Sequence, residues 1–153
     1  MKRVEVKLSL AIVAPLLDVI KGLADDLGSD LATTVVPVDH DQDFQKAWRD
    51  ELIGAQNADV KVLLALFNDE FFAEGVIAFD EANAEPIVRA CAALRLRLRS
   101  HPLAKMGDEP LESGSVDLGG LEDPVRKAFL CYLFLATIQE LIIQHLESNI
   151  IGS

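Results

Sequence analysis

The sequence is poor in the residue types that build metal centres and disulfide frameworks. It contains two cysteines, Cys91 and Cys131, and three histidines among 153 residues. No C-x-x-C or H-E-x-x-H motif occurs, which argues against a zinc knuckle, a thioredoxin-like pair and a helix-borne zinc site. Apolar residues surround each cysteine, so we expect buried, inert thiols in a reducing compartment.

Motifs for nucleotide binding and for a serine nucleophile are also missing. The chain has no G-x-G-x-x-G, no G-x-x-x-x-G-K-[ST] and no G-x-S-x-G. Neither a dinucleotide-binding fold, a P-loop nor a nucleophile elbow is therefore supported. We expect no cofactor, and the sequence favours a non-enzymatic role.

Hydrophobic runs are too short for a membrane span, which needs roughly 18 apolar residues. The nearest approach, residues 128–138, ends at Gln139 and Glu140. Near the N-terminus, Glu5 interrupts the basic residues and no A-x-A site follows, so a signal peptide is not expected. The sequence predicts a cytoplasmic protein without a membrane partner.

Positive charge is scarce, with 14 basic residues against 25 acidic ones and a formal net charge of −11. Nucleic acid and anionic membranes repel such a chain at long range, so neither is expected as a partner. Half of the residues are hydrophobic, which is the composition of a globular protein. Residues 1–153 are expected to form a single helical domain.

Periodicity predicts a small strand element and several helices. Residues 2–8 alternate like a half-buried strand, and residues 75–79 are β-like and could pair with it. Apolar residues then recur at helical spacing from Leu10 to Leu27, with Gly28 at the expected end. Pro15 would bend this helix or begin it.

Further helices are predicted over residues 42–55, 59–67, 83–99 and 124–146. The first two could be one helix broken near Gly54. Residues 35–38 form a short extended piece, and residues 100–123 a long loop with room for a helical turn. The fold class is therefore mainly α, a bundle of about five helices with a small N-terminal strand element.

The final helix is apolar on all sides between residues 128 and 138. Such a helix must be surrounded by protein. Either it is the central helix of the bundle, or a partner subunit covers its exposed side. The second possibility predicts a homo-oligomer, such as a homodimer.

The densest polar cluster is Asp39, His40 and Asp41, just before a predicted helix. Two carboxylates beside an imidazole could bind a divalent metal or orient a general base. Neighbouring residues point in different directions, however, so a metal site needs ligands from elsewhere. Helix capping is the favoured interpretation, because acidic residues stabilise a helix N-terminus.

A basic island lies in an otherwise acidic chain: Arg89, Arg95, Arg97, Arg99 and Lys105 occur with no acid among residues 86–105. Arg95 and Arg99 could bind an anion. On a helical wheel, however, the arginines lie along the edges of an apolar stripe. We therefore favour a structural role, in which the aliphatic parts of the arginine side chains cover the edge of the core and their guanidinium groups pair with carboxylates. A second stripe that includes Leu96 predicts that this helix is packed on both sides.

The closing run YLFLATIQELIIQHL, residues 132–146, resembles the ending of a bacterial family of helical proteins of unknown function. The opening KRVEVKL, leading into an amphipathic helix, is similar to the beginning of that family. The resemblance covers the two ends of the chain and little of its middle. It implies a mainly helical fold and a bacterial cytosolic origin, and it implies no reaction.

Together these patterns favour a non-catalytic interaction or regulatory protein that self-associates through apolar helix faces, with a further protein partner as a possibility. The alternative is a metal-dependent enzyme or metal-binding protein that uses Asp39, His40 and Asp41. A third hypothesis is recognition of an anionic ligand by Arg95 and Arg99.

Overall fold

A computed structural model describes residues 3–32, 41–114 and 117–147 of the chain. The extended piece expected at residues 35–38 lies outside the described residues. The described elements follow in this order: β1 (Arg3–Lys7), α1 (Leu10–Leu27), α2 (Gln42–Leu64), α3 (Asp69–Glu74), β2 (Val76–Asp80), α4 (Ala84–Ser100), α5 (Asp108–Ser113), a 3₁₀ turn (Leu118–Gly120), α6 (Asp123–Ile142) and a π-helical turn (Ile143–Glu147). The mainly helical fold class with a small strand element is confirmed.

The two strands form an antiparallel sheet, as the alternating pattern predicted. Val4 pairs with Phe79, and Val6 pairs with Ile77. Ile77 and Phe79 are buried, and the two valines are half-buried against the same core. Alternate side chains of a strand share one face, so this register turns these four side chains towards the helices.

Helix α1 begins at Leu10 and continues through Pro15. The helix therefore starts before the proline, which the sequence left open. Val13 is already buried in the first turns, and Leu16, Leu17 and Ile20 continue the same apolar face. Burial of that face offsets the backbone hydrogen bond that a proline inside a helix removes.

The end of α1 is held by α2 and not by a left-handed glycine. Gly28 has φ −59°, a value that any residue adopts. The side-chain amide of Gln56 donates to the carbonyls of Leu27 and Asp30 at 3.1 and 2.9 Å. Its oxygen accepts from the backbone N–H of Ala32 at 3.1 Å. One polar side chain thus satisfies several groups that the end of a helix leaves unpaired.

Helix α2 is continuous from Gln42 to Leu64, so the break considered near Gly54 is absent. A glycine inside a helix costs about 1 kcal/mol relative to alanine. Asp41 caps the first turn, while Val60 and Leu63 are buried in the last ones. These contacts stabilise both ends of the helix and offset the small destabilisation caused by Gly54.

Helix α4 occupies the centre of the bundle, where it packs against α1, α2 and α6. Its residues Ile87, Cys91, Leu94 and Leu98 are fully buried. The first predicted stripe of this helix is thus buried, whereas Leu96 of the second stripe is 43 % exposed.

Helix α6 packs against α4, α1 and α5, but the described residues do not surround it on every side, so cover by a partner subunit stays a prediction. Its buried side consists of Ala128, Phe129, Cys131, Tyr132, Leu135, Ile138 and Ile142. On the other side, Thr137 and Glu140 are exposed, and Leu133 and Phe134 are half-buried. Within the described chain, one apolar face of α6 therefore remains partly in water. Apolar periodicity reports which residues can be buried and not how many neighbours a helix has.

Together with the following turn, α6 covers Asp123–Leu146 and is long and apolar enough to cross a membrane by length and composition alone. Its buried side, however, packs on α4 and α1. That packing is typical of the core helix of a soluble bundle, which passes the same test of length and composition.

Gly75 generates the first prediction. It ends α3 with φ +75°, and a Cβ there would lie 2.5 Å from the carbonyl oxygen of Leu8. We expect Gly75→Ala to lower the free energy of unfolding by at least about 2 kcal/mol, because strain and a backbone clash combine. Urea denaturation measures this loss.

Gly22 provides the matched control, since nothing lies within 4 Å of a Cβ built at this exposed position of α1. Gly22→Ala should stabilise the protein by about 0.5–1 kcal/mol. Equal effects of the two substitutions would contradict the described approach of Gly75 to β1.

Candidate interaction surfaces

Of the proposed metal ligands, only Asp41 lies within the described residues, and Asp39 and His40 lie outside them. The Asp41 carboxylate caps α2, accepting from the backbone N–H of Asp43 at 2.9 Å and of Phe44 at 3.4 Å. This is the capping role that the sequence favoured. The described ranges contain no group of three or more histidine, cysteine, aspartate or glutamate side chains able to hold a metal ion.

Three arginines of α4 each contact a different part of the fold. Arg89 forms a two-pronged pair with Asp59 of α2, with both N–O distances at 3.0 Å. Arg97 lies 3.2 Å from Asp30, just beyond α1. These two head groups pair with carboxylates as the structural interpretation of the basic island predicted.

Arg95 differs from these two because it contacts neutral groups of α6. Its guanidinium donates to the Gln139 side-chain oxygen at 2.6 Å and to the Tyr132 hydroxyl at 3.1 Å. The same guanidinium lies 4.5 Å from the centre of the Tyr132 ring, a favourable cation–π distance. Gln139 in turn donates to the Val88 carbonyl at 3.0 Å. Arg95 therefore joins α4 to α6.

The proposed anion site at Arg95 and Arg99 remains a prediction. The buried Nε of Arg95 has no hydrogen-bond partner among the described residues, but its other nitrogens are bound to Tyr132 and Gln139. Arg99 follows one turn later and has an interaction of its own. The sequence did not reveal the Arg95–Gln139 contact, because the partners are far apart in the chain.

Both cysteines are buried and free. Burial raises the pKa of the Cys91 thiol to about 12, and it raises the pKa of the Cys131 thiol to about 12 as well. Nucleophilic cysteine chemistry needs a thiolate and access to solvent. These thiols have neither at neutral pH, so they pack as small apolar side chains.

A groove of about 370 Å³ lies between α2 and α4. Its walls are mainly apolar and are formed by Leu31, Ala32, Leu52, Ala55, Ala90, Ala92, Ala93 and Leu96, with Gln56, Asp59 and Arg89 at its polar parts. The Arg89 guanidinium is already engaged by Asp59 and by Glu85, the latter at 2.9 Å. The described lining thus suits an apolar group and presents no assembled catalytic set.

The outer face of α6 is the second apolar surface, and we define it as Leu130, Leu133, Phe134, Thr137 and Leu141. Steps of three and four residues place these side chains on one side of the helix. The four apolar members are half-buried, and Thr137 between them is exposed. The sequence located this surface through the all-round apolar run, although it expected the surface to be covered.

Aromatic and loop residues border the outer face of α6. The Phe134 ring lies 6.2 Å from that of Phe67, which meets Phe71 edge-on at 5.2 Å. On the other side, a shallow cavity of about 510 Å³ is lined by Leu133 and Thr137 of α6 and by Ser113 and Gly114 at the end of α5. The outer face of α6 is therefore a narrow apolar strip with Phe67 on one side and the end of α5 on the other.

No protein-family model matches the sequence, and neither a curated protein nor a solved structure matches the chain. The similarity of residues 132–146 to a bacterial family of helical proteins therefore stays a prediction. What the described surfaces can do has to be inferred from their own geometry.

Asp41 generates the second prediction. Asp41→Ala should lower the free energy of unfolding by about 1 kcal/mol, because the first turn of α2 loses its cap. Asp41→Asn keeps an oxygen acceptor, so it should cost only a few tenths of a kcal/mol. Thermal denaturation of both variants measures the difference.

The same pair of variants separates capping from metal binding when the melting temperature is measured with magnesium, manganese and zinc ions. Asn at position 41 preserves the cap but removes a carboxylate ligand. We expect no metal to raise the melting temperature. A rise in the natural chain that Asp41→Asn abolishes would support the metal site and overturn the capping interpretation.

The cysteines generate the third prediction. Their thiols ionise near pH 9 in the unfolded chain and near pH 12 when folded. The unfolded state therefore loses these protons first, so stability is full below about pH 9 and falls as the pH rises towards 12. Urea denaturation across this range should show a shallower decline in Cys91→Ala/Cys131→Ala. An identical alkaline decline in both proteins would contradict the burial argument.

Proposed function

We propose that this chain is a non-catalytic interaction protein of the cytosol that forms a homodimer through the outer face of α6. The observation that carries the proposal is that this face belongs to a core helix and yet leaves Leu130, Leu133 and Leu141 partly in water. Apolar surface that stays contiguous and exposed commonly marks a contact site between proteins.

Charge complementarity favours a second copy of the chain as the occupant of this face. In an antiparallel pair of α6 helices whose twofold axis passes between Leu133 and Phe134, Lys127 of each copy lies opposite Glu140 of the other. Both side chains are exposed. Leu130 then lies opposite Thr137, so the central part of the apolar strip is covered and opposite charges meet at both of its ends, while Leu141 lies beyond them opposite Arg126.

The cytosolic location is supported by Cys91 and Cys131, which are free. Thiols persist in reducing compartments, whereas exported domains commonly use cysteines in disulfides. A bacterial origin, implied by the resemblance of the chain ends, is compatible with this location. The non-catalytic role is supported by the arginines of α4, whose contacts with Asp59, Asp30 and α6 are structural.

The dimer generates the fourth prediction. Thr137 is exposed at the centre of the outer face of α6, so Thr137→Arg should leave folding unchanged. It should weaken dimerisation by at least about tenfold, because each arginine would face Leu130 of the other copy and place a charge in the apolar strip. Sedimentation equilibrium at micromolar concentration measures the dissociation constant.

Ile12→Arg is the matched control, since Ile12 lies on α1 and is the most exposed large apolar residue described, at 68 %. It introduces the same side chain outside the proposed interface and should leave dimerisation unchanged. Equal weakening by both variants would point to a different surface. A natural chain that sediments as a monomer throughout the micromolar range would overturn the proposal.

A further inference from the structure

The outer edge of β2 is partly occupied by a side chain. The Asp80 backbone N–H donates to the Asn83 side-chain oxygen at 2.9 Å. The Asn83 side-chain amide donates back to the Ala78 carbonyl at 3.2 Å. One asparagine thus occupies two of the backbone groups to which another strand would bind.

Among the described residues, no strand pairs with the outer edge of β1. The Leu8 N–H donates to the Gly75 carbonyl at 2.7 Å and so points towards the β2 side. Backbone groups alternate in direction along a strand. The N–H and C=O groups of Val4 and Val6 therefore also point to β2, whereas those of Arg3, Glu5 and Lys7 point outwards. No backbone hydrogen bond of Glu5 or Lys7 on that outer side is found in the described part of the chain, and both residues are exposed.

We propose that the outer edge of β1 binds β1 of a second copy of the chain, antiparallel and centred on Val6, to form a four-stranded sheet. In this register Glu5 of each copy lies opposite Lys7 of the other. Each such pair exchanges both backbone hydrogen bonds. The strand is therefore self-complementary in charge as well as in backbone pattern.

Competing registers of the same pairing are less favourable. Centring the pair on Glu5 would place two glutamates directly opposite each other, which destabilises a sheet. Centring it on Val4 would place Arg3 opposite Glu5, but Lys7 would then have no acidic residue opposite it. The register centred on Val6 pairs residues 4–8 without a like-charge contact and places Glu5 and Lys7 opposite residues of the other sign.

The apolar side of β1 supports this register. Val4, Val6 and Leu8 share the face turned to the core and are half-buried. When the pair is centred on Val6, Val6 of one copy lies opposite Val6 of the other, and Val4 of each copy lies opposite Leu8 of the other. Apolar side chains thus meet on one face of the sheet while opposite charges meet on the other, and both kinds of cross-strand pair are stabilising.

This contact deepens the proposed self-association but does not need the outer face of α6. The α6 contact uses side chains alone, whereas the β1 contact uses the backbone of Glu5 and Lys7. Substitution at Thr137 therefore tests one contact, and substitution in β1 tests the other. A chain that carries both contacts can form assemblies larger than a dimer.

Charge exchange in β1 provides the first test, measured as the self-association constant in the Thr137→Arg background. Glu5→Lys places two lysines opposite each other, and Lys7→Glu places two glutamates opposite each other. Each should weaken association by about tenfold. The double variant Glu5→Lys/Lys7→Glu should restore it, because opposite charges again meet. Failure of the double variant to recover association would overturn the register.

Amide hydrogen exchange provides the second test and does not depend on any variant being well folded. In the natural chain at high concentration, the Glu5 and Lys7 amides should be protected, and dilution should expose them. The Val4, Val6 and Leu8 amides should stay protected throughout, because they face β2. Fast exchange of the Glu5 and Lys7 amides at every concentration would overturn the proposal.

The two proposals fail in different ways. Protection of the Glu5 and Lys7 amides that persists in Thr137→Arg supports the β1 contact even if the α6 contact is wrong. A dimer that Thr137→Arg dissociates completely, with these amides unprotected, supports the α6 contact and rejects the β1 contact. If the outer edge of β1 instead binds a strand of another protein, the Glu5 and Lys7 amides of the purified chain should exchange rapidly. That result would count against pairing with a second copy.

Discussion

The burial of α4 between its neighbours is the constraint on which the rest of the structure depends. Ile87, Leu94 and Leu98 are completely withdrawn from water, and each buried residue of this size contributes about 1.5–3 kcal/mol. Because α2 and α6 both pack most extensively on α4, loss of α4 would remove the main contact of each. Helix α1 also contacts α2, α4 and α6, so α4 and α1 together connect the bundle.

Polar contacts around α4 fix the positions of its neighbours. Arg89 joins α4 to α2, Arg97 joins it to the end of α1, and Arg95 joins it to α6. Exposed ion pairs add little stability, typically below about 1 kcal/mol. Their contribution is geometric, since a two-pronged guanidinium contact fixes the direction of its partner. Gln56 acts similarly where it binds the end of α1.

The local elements could be predicted from the sequence, because hydrophobic periods of two and 3.6 residues are local properties. The pairing of residues 2–8 with residues 75–79 was also foreseen. The contact of α4 with several helices was expected from its apolar stripes, whereas the partly exposed side of α6 was not, because only three-dimensional packing decides how many neighbours an apolar helix has. The hydrogen bonds of Asn83 at the edge of β2 could not be predicted either, because they depend on a turn that brings Asn83 back to Ala78.

Charge limits how this chain can associate. Each copy carries a formal net charge of −11, so two copies repel each other at long range, and salt screens this repulsion beyond a Debye length of about 10 Å. Contacts between copies must therefore be short-range and either apolar or locally complementary. The outer face of α6 provides an apolar strip with Lys127 and Glu140 at its ends, and β1 provides alternating charges beside a backbone edge with which no described strand pairs. In both proposed contacts a basic residue lies opposite an acidic one, which would let a strongly acidic chain recognise another copy of itself without reducing its total charge.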